Sequence, residues 1–344
     1  MKQKRLSNEE WLNERLALHS RLSPTAKALI ENVLARNQID TLSVTTRVKD
    51  YGSAKNKIER KKYKDLDNQF TDLTGIRIVV YFASQISQCI EVIRNLFDID
   101  EDNSTDRSEV LGLDRMGYRS SHFVCTLGPS RSQLAEYDSI ASLKFEIQVR
   151  TVLQHAWAEL AHDRSYKFST GLPDNIQREI NLYSGLLEIA DSAFDRISKD
   201  ILQYRSKLKS EDRSILSREL INILSLQSLA ERIYYTVKIN IWDEIDNPSG
   251  LLEELDRFGL KYISDLELLI SDDFKEAYNS CGLYENILGF YRSVLMYTDL
   301  HRFLHIKGSW NGVDSETVEF LSKKYNETEV LVAFEAAEIT VLED

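Results

Sequence analysis

Four residues early in the chain, Arg47, Lys49, Ser53 and Lys57, form the pattern R-x-K-x3-S-x3-K. Ser53 and Lys57 are four apart and share one face if a helix begins near Ser53. Two ammonium groups and a hydroxyl suit a polyphosphate, and a guanidinium plane can stack on a base. The same residues also fit a solvated basic helix. Asp72 falls just before an expected strand at 75–82, and Glu146 falls inside another at 143–149. Carboxylates in such places are costly unless paired or metal-bound, and two that converge from neighbouring strands make a Mg²⁺ site for phosphoryl chemistry. Spacing alone does not make those strands neighbours. His155, Glu159 and His162 recur at i, i+4 and i+7. They share a helical face but lack the HExxH spacing of a zinc site, so they are read as structural or substrate-facing polar residues. His301 and His305, with Phe303 and Leu304 between them, are expected to pack. No Walker A sequence or Gly-rich dinucleotide fingerprint occurs, so side chains would have to hold a nucleotide.

The elements that would carry these residues follow from periodicity. Ser7 and Glu10 have the form of a capping box for a helix over 8–20. Ser23-Pro24 then repeats a start signal for a second helix bearing Leu29, Ile30, Val33 and Leu34. The β-branched run at 75–82 reads as a buried strand, 85–97 as a helix, and the polar, acidic stretch 98–117 as a long loop. Period-two alternation marks strands at 121–127 and 143–149, and helical spacing returns over 151–166. Strands interleaved with helices make this half α/β or α+β. From 174 to 208 apolar residues recur at three- and four-residue steps, as in one long amphipathic helix. The polar run SKLKSEDRS at 206–214 marks a boundary. Beyond it 216–239, 251–258, 263–278 and 284–304 read as helices. The expected organisation is N-terminal helices over 1–44, an α+β domain over 45–208, and an all-α acidic region over 209–344.

Composition narrows the class. With 344 residues, 42% hydrophobic, 13 Gly and 4 Pro, the chain is ordered and helix-rich, and its length suits two domains. The N-terminus lacks the apolar core and cleavage site of a signal peptide, and no run reaches membrane-span length, so a cytoplasmic location is expected. Cys89, Cys125 and Cys281 are widely separated and read as free thiols. A formal charge of −12 argues, as an average, against coating a nucleic acid. The charge is uneven, however. Residues 45–64 hold eight Lys/Arg against Asp50 and Glu59, whereas 241–300 hold thirteen Asp/Glu against four Lys/Arg.

Five segments, R47-V-K49-x3-S53-x3-K57, D72-L-T-G75-I-R77, G117-Y118-R119-S120-S121-H122, E146-I-Q148-V-R150-T151 and H155-A-W157-A-E159-L-A-H162-D163-x2-Y166-K167, occur in this order. Together they resemble the synthetase domain of the RelA/SpoT alarmone synthetase family, collinearly over about residues 45–170. The resemblance implies a mixed β-sheet flanked by helices, distantly similar to nucleotidyltransferases. The implied reaction moves pyrophosphate from ATP to a ribose 3′-hydroxyl of GDP or GTP, yielding an alarmone and AMP. By that resemblance Arg47 and Arg77 would sandwich the adenine, and Lys49, Ser53 and Lys57 would hold the phosphates. Asp72 and Glu146 would bind Mg²⁺, with Glu146 also the base for the acceptor hydroxyl. Tyr118 would stack on the acceptor base. Arg119, His122, Gln148, Arg150, His155 and Lys167 would line the acceptor side.

Some features depart from the family's long members. About 45 residues precede Arg47, too few for an HD-type hydrolase half, so a stand-alone synthetase is expected. Met116 precedes Gly117 where many members have Asn, which bears on guanine recognition. The region after about 206 matches no regulatory module of the family, and its single Cys281 excludes a cysteine-rich zinc finger. An alternative is similarity to the toxic branch that pyrophosphorylates the 3′ end of tRNA, with the fused C-terminal domain controlling the enzyme by contacting it or a protein ligand. An inactive nucleotide-binding fold is a lesser alternative, disfavoured by the joint presence of Arg47, Asp72, Arg77, Tyr118 and Glu146. The apolar stripe of the long helix could pack on its own domain, on the C-terminal block or on another subunit, the last making a homo-oligomer; the sequence does not choose among these.

Overall fold

Thr41, Val44, Thr45, Thr46 and Val48 are β-branched, a composition that favours extended backbone, and Thr41–Val48 forms strand β1. The computed structural model describes residues 7–105, 121–162, 173–210, 212–241 and 247–342. Two compact units divide it, Met1–Ser198 and Lys199–Asp344. The division falls inside the long helix, ten residues before the boundary read from the sequence.

The first unit is built on a five-stranded sheet ordered β1-β2-β5-β4-β3, with β2 Thr74–Val80, β3 Asp98–Thr105, β4 Ser121–Thr126 and β5 Phe145–Thr151. Only β2 and β5 run parallel; the other pairs are antiparallel. The fold is therefore the expected mixed sheet in an α+β frame. Alternation along the strands gives the sheet two unlike faces. Ile76, Ile78, Phe123, Ile147 and Val149 point to one face, where helices α1 (Asn8–Arg36) and α4 (Ala83–Leu96) cover them with Leu22, Ala26, Ile30, Leu34, Cys89 and Ile93. Cys89 and Cys125 are free and fully buried in this layer, and burial pushes the Cys89 thiol up to about 12. The opposite face carries Arg47, Arg77, Glu146, Gln148 and His122.

Two local expectations are corrected. Residues 8–36 are one helix, not two. Pro24 is exposed, so its ring and its missing N–H lie on the solvent side while the buried stripe from Leu12 to Leu34 runs on unbroken. The stretch 98–105, expected as loop, is the edge strand β3. It pairs on one side only, so it needs few apolar residues and carries charge instead, with Asp100 bound to Lys144 at 2.7 Å.

Around the sheet lie α2 (Tyr51–Lys61), α3 (Leu66–Gln69), α5 (Pro129–Ser132), α6 (Val152–His162) and α7 (Asp174–Leu208). Asp191 and Asp195 on α7 accept from the Thr151 hydroxyl at 2.7 Å and the Ser84 amide at 3.0 Å. No described helix is long and apolar enough to cross a membrane.

The second unit is mostly helical: α8 (Arg213–Ser217), α9 (Ile223–Ile233), α10 (Pro248–Arg257), α11 (Ile263–Leu269), α12 (Asp272–Ser280), α13 (Ile287–Thr298), α14 (Leu300–Ile306), α15 (Ser315–Leu321) and α16 (Glu327–Ala336). Three of the longer helices read from the sequence are each split in two, because Asn222, Ser271 and Asp299 cap new starts within them. A two-stranded parallel ribbon, β6 (Gly312–Asp314) with β7 (Thr340–Leu342), adds strand to a region expected to be all-α. Phe274, Tyr278, Phe290 and Phe320 meet edge to face in its core. His301 and His305 do not pack. Phe303 between them points inward, which turns both rings outward along an open groove of about 600 Å³.

Glu254 is the polar centre of this unit. Its side chain is 1% exposed and accepts from Arg292 Nε at 2.8 Å and Nη2 at 3.0 Å, the Gly308 amide at 2.9 Å and Trp310 Nε1 at 2.9 Å. Breaking a buried pair strands the remaining charge, so Glu254→Ala should destabilise this unit by about 3–5 kcal/mol. The neighbouring exposed Glu253→Ala should change stability by less than about 0.5 kcal/mol. Urea unfolding followed by tryptophan fluorescence distinguishes the two.

Candidate functional site

The site is assembled by register on the face of the sheet opposite α1 and α4. Arg47 on β1 pairs with Gly75 on β2, Gly75 with Glu146 on β5, and Glu146 with Val124 on β4. The next row on the same face is Thr45, Arg77, Gln148 and His122. Asp72, two residues ahead of β2, lies close enough for its charge to act on Glu146. The two strands whose adjacency spacing left open are parallel neighbours. Among the described residues a Cβ built on Gly75 would meet nothing within 4 Å, so the position between Arg47 and Glu146 has room for a side chain.

Asp72 is the electrostatic centre. Its Oδ2 accepts from Lys49 Nζ at 2.9 Å and Lys57 Nζ at 2.5 Å, while Oδ1 is buried and without a hydrogen-bond partner among the described residues. Burial opposes ionisation of this carboxyl, but the two lysines outweigh it and hold the group below its ordinary range. Helix α2 supplies Lys57. Asp50 caps it by accepting from the Ser53 amide at 2.8 Å, which places exposed Ser53 one turn before Lys57. A small core of Trp11, Leu12, Ala54, Ile58, Phe70 and Leu73 seats the helix. Both lysines lie over the Phe70 ring, at 5.9 and 5.3 Å from its centroid.

Glu146 accepts from Gln148 Nε2 at 3.0 Å and pairs with His122 Nδ1 at 2.5 Å, and Gln148 Oε1 accepts from Arg150 at 2.8 Å. Burial and the nearby Asp72 charge raise the Glu146 carboxyl, yet His122 and Gln148 leave it net lowered. Arg77 donates to Glu159 on α6 at 2.7 Å, and His155 Nδ1 lies 3.7 Å from the same carboxylate. Burial first, then repulsion from Arg77 and Arg150, lowers the His155 pKa and favours neutral imidazole. Arg47 is exposed, diagonally across from Arg77.

Of the residues singled out from the sequence, Arg47, Lys49, Ser53, Lys57, Asp72, Arg77, His122, Glu146, Gln148, Arg150 and His155 are brought to one side of the first unit. Tyr118, Arg119 and Lys167 lie outside the described residues, as do the side chain of His162 and the Met116 position. Among the described residues no three His, Cys, Asp or Glu side chains cluster as a metal site. Phe70 escaped the sequence reading, having no motif to mark it. Glu159, first read as part of a polar face, is the partner of Arg77.

Comparison with known proteins places these residues in a family context. The family model described as "Region found in RelA / SpoT proteins" matches residues 46–171. The GTP pyrophosphokinase YwaC of Bacillus subtilis is 26% identical over 203 residues, covering 56% of this chain and 92% of that protein. The GTP pyrophosphokinase YjbM of the same organism is 26% identical over 179 residues, covering 51% and 77%. Among solved structures, the small alarmone synthetase 1 from Bacillus subtilis aligns with a TM-score of 0.46 at 22% identity, over 57% of this chain and all of that one. A GTP pyrophosphokinase family protein from Streptococcus pneumoniae aligns at 0.46 and 24% identity, over 58% and 97%.

The Asp72 ion pairs carry a pH signature. Because the folded pKa is depressed, their stabilisation is fully present above the ordinary carboxylate range and is lost as pH falls through the lowered value. Lys57→Met removes one of the partners and leaves the folded pKa less depressed, so its loss of stability on acidification should be smaller and should be complete at higher pH than in the wild type. At neutral pH the cost should be about 1 kcal/mol. Urea midpoints between about pH 3 and 6 test this, and superimposable acid limbs would refute it.

Proposed function

We propose that this chain, whose residues 46–171 are a RelA/SpoT-type domain, is a nucleotide pyrophosphokinase that transfers the β,γ-pyrophosphate of ATP to the 3′-hydroxyl of GDP or GTP. The observation that carries this reading is the grouping of Lys49, Lys57, Asp72 and Glu146 at the sheet face opposite α1 and α4. Its being related to GTP pyrophosphokinases supports the same class.

The residues divide the work by charge and reach. Arg47 and Arg77 are diagonal neighbours on an antiparallel pair, about 7–8 Å apart at their backbones, which suits a planar base held between two guanidinium planes. Lys49, Ser53 and Lys57 offer two charges and a hydroxyl to the triphosphate. The acceptor O3′ bonds to the β-phosphorus, the bond from that phosphorus to the α,β-bridging oxygen breaks, and AMP departs with the electron pair. The hydroxyl proton passes to Glu146, which His122 and Gln148 orient. Gly75 leaves the space these groups need.

Asp72 and Glu146 also fit Mg²⁺: the donor set is two carboxylates from adjacent positions, one with a buried unpartnered oxygen, and this ion takes few protein carboxylates plus substrate phosphates. When bound, the ion would supply neutralisation of phosphate charge.

The test is transfer of label from γ-labelled ATP to GDP, GTP or deacylated tRNA. Labelled guanosine nucleotide is the expected product. Label on tRNA instead would move the reading to the tRNA-modifying branch, and no transfer to any acceptor would sink the enzymatic reading. Asp72→Asn and Glu146→Gln should each lower turnover at least about 100-fold. Gly75→Ala should fold normally, since its Cβ meets no atom among the described residues, yet lower activity by narrowing the site.

Self-association is part of the proposal. Leu182, Tyr183, Leu186, Ile189, Phe194 and Ile197 on α7 are 50–64% exposed and recur along the helix, a contiguous apolar stripe of a kind monomers rarely leave bare. A second copy of the same stripe is the occupant that a face of this length and composition fits. Light scattering should give a multiple of the 39.8 kDa chain mass, and Leu186→Glu with Ile189→Glu should return it to one chain. A wild-type monomer at tens of micromolar would refute it.

A further inference from the structure

Behind the site, on the covered side of the sheet, the seam between α1 and the strands is apolar except at two places. His19 and Ser23, four residues apart on one face of α1, are 3% and 6% exposed. His19 Nδ1 shares a hydrogen bond of 2.9 Å with Thr74 Oγ1, and Ser23 Oγ shares one of 2.7 Å with Thr46 Oγ1. Thr46 Oγ1 also approaches the Gly75 carbonyl at 3.4 Å. Thr74 is fully buried and opens β2, two residues after Asp72 and one before Gly75. The polar seam therefore lies directly behind the row that holds Arg47, Gly75 and Glu146.

Apolar packing fixes how far a helix stands from a sheet but constrains its slide along the strands weakly. A buried hydrogen bond is directional, and leaving either atom unpaired in that seam is costly. From these contacts we propose that His19 is a positioning residue for the site. Its bond to Thr74 anchors the 72–75 segment, and through that segment sets where the Asp72 carboxylate meets Lys49, Lys57 and Glu146. The main chain cooperates, since the Lys49 amide donates to the Leu73 carbonyl at 2.8 Å and ties the lysine strand to the same segment. Burial, with Arg15 adding repulsion, lowers the His19 pKa to about 4, so the ring is neutral at ordinary pH and keeps one nitrogen as donor and one as acceptor. The consequence for catalysis rests on the pyrophosphokinase reading; the anchoring does not.

The experiment uses the full chain with four variants. Thr74→Val keeps shape and removes the hydroxyl, and His19→Leu removes the ring nitrogens. Thr74→Ser and His19→Asn keep a polar atom at each end. In the pyrophosphate-transfer assay, Thr74→Val and His19→Leu should each lower kcat about tenfold with KM for ATP held within about twofold, because misplacement of Asp72 is felt in the transition state. The double variant should be no worse than either, since both lose one shared bond. Ser and Asn should restore most of the rate. Hydrogen exchange over residues 70–76 should be faster in Thr74→Val and His19→Leu than in the wild type and in the two conservative variants.

A kcat for Thr74→Val within about twofold of wild type, or additive losses in the double variant, would overturn the proposal by leaving His19 only a packing role. Unchanged exchange over 70–76 would also overturn it. If the wild-type chain transfers pyrophosphate to no acceptor, the pyrophosphokinase reading has failed, and the exchange comparison alone decides the anchoring.

Discussion

Parallel pairing of β2 with β5 is the constraint on which the rest of the first unit depends. It is the only parallel step in the sheet, and its register sets Gly75 beside Glu146 and Arg77 beside Gln148. Parallel neighbours need a crossover, and α4, β3 and β4 lie between them in the chain. The crossover helix covers the apolar face and leaves the polar side chains on the other. Shifting the pairing by one residue would exchange Ile147 for Glu146 and bury a carboxylate against Leu22 and Ile93. The same register that satisfies the hydrophobic layer thus fixes the chemistry on the other side.

The polar face is held together by charges that face substrate-sized space. Asp72 balances Lys49 and Lys57, Glu159 balances Arg77, and Glu146 is bracketed by His122 and Gln148. Lys49, Lys57 and Arg77 are each engaged by a carboxylate. On the proposed reading, a polyanion would exchange one set of ion pairs for another, which would limit the desolvation cost of binding. Arg150 differs: it is 7% exposed and bonded to Gln148, with Nε unpartnered among the described residues. It adds a buried positive charge beside Gln148 on the same side of β5.

Much of this was legible in the residues, for physical reasons that differ by element. The runs in β2, β4 and β5 sit over the main core, so their apolar signal is strong and short. Strand β1 was hidden because its alternate positions are Thr, Ser and Arg, and its last residues belong to the basic motif that drew attention as chemistry. Edge strand β3 lacks the apolar half of the signal altogether. Asp72 and Glu146 could be suspected singly, since carboxylates beside buried strands need partners. Their meeting depends on strand order, which no local pattern encodes. His19 was invisible for the opposite reason: one polar residue on an apolar helix face has no motif, and its meaning comes only from Thr74, 55 residues away.

The acidity of residues 241–300 takes on a different meaning once its contacts are followed. An evenly solvated acidic block would project a field capable of opposing a polyanion. Here several of the carboxylates are occupied locally. Glu254 is buried against Arg292 and Trp310, Asp265 accepts from the Lys261 and Tyr262 amides, Asp299 caps α14, and Asp272 pairs with Lys275. These four groups neutralise helix-start dipoles and one half-buried guanidinium, so their charge is met within a few ångströms. Each serves first as a helix cap or internal tie in a unit made of many short helices, whose starts need acceptors. A chain with formal charge −12 can in this way keep a cluster of lysines and arginines on its first unit, because a residue count does not show which charges are already spent on the fold.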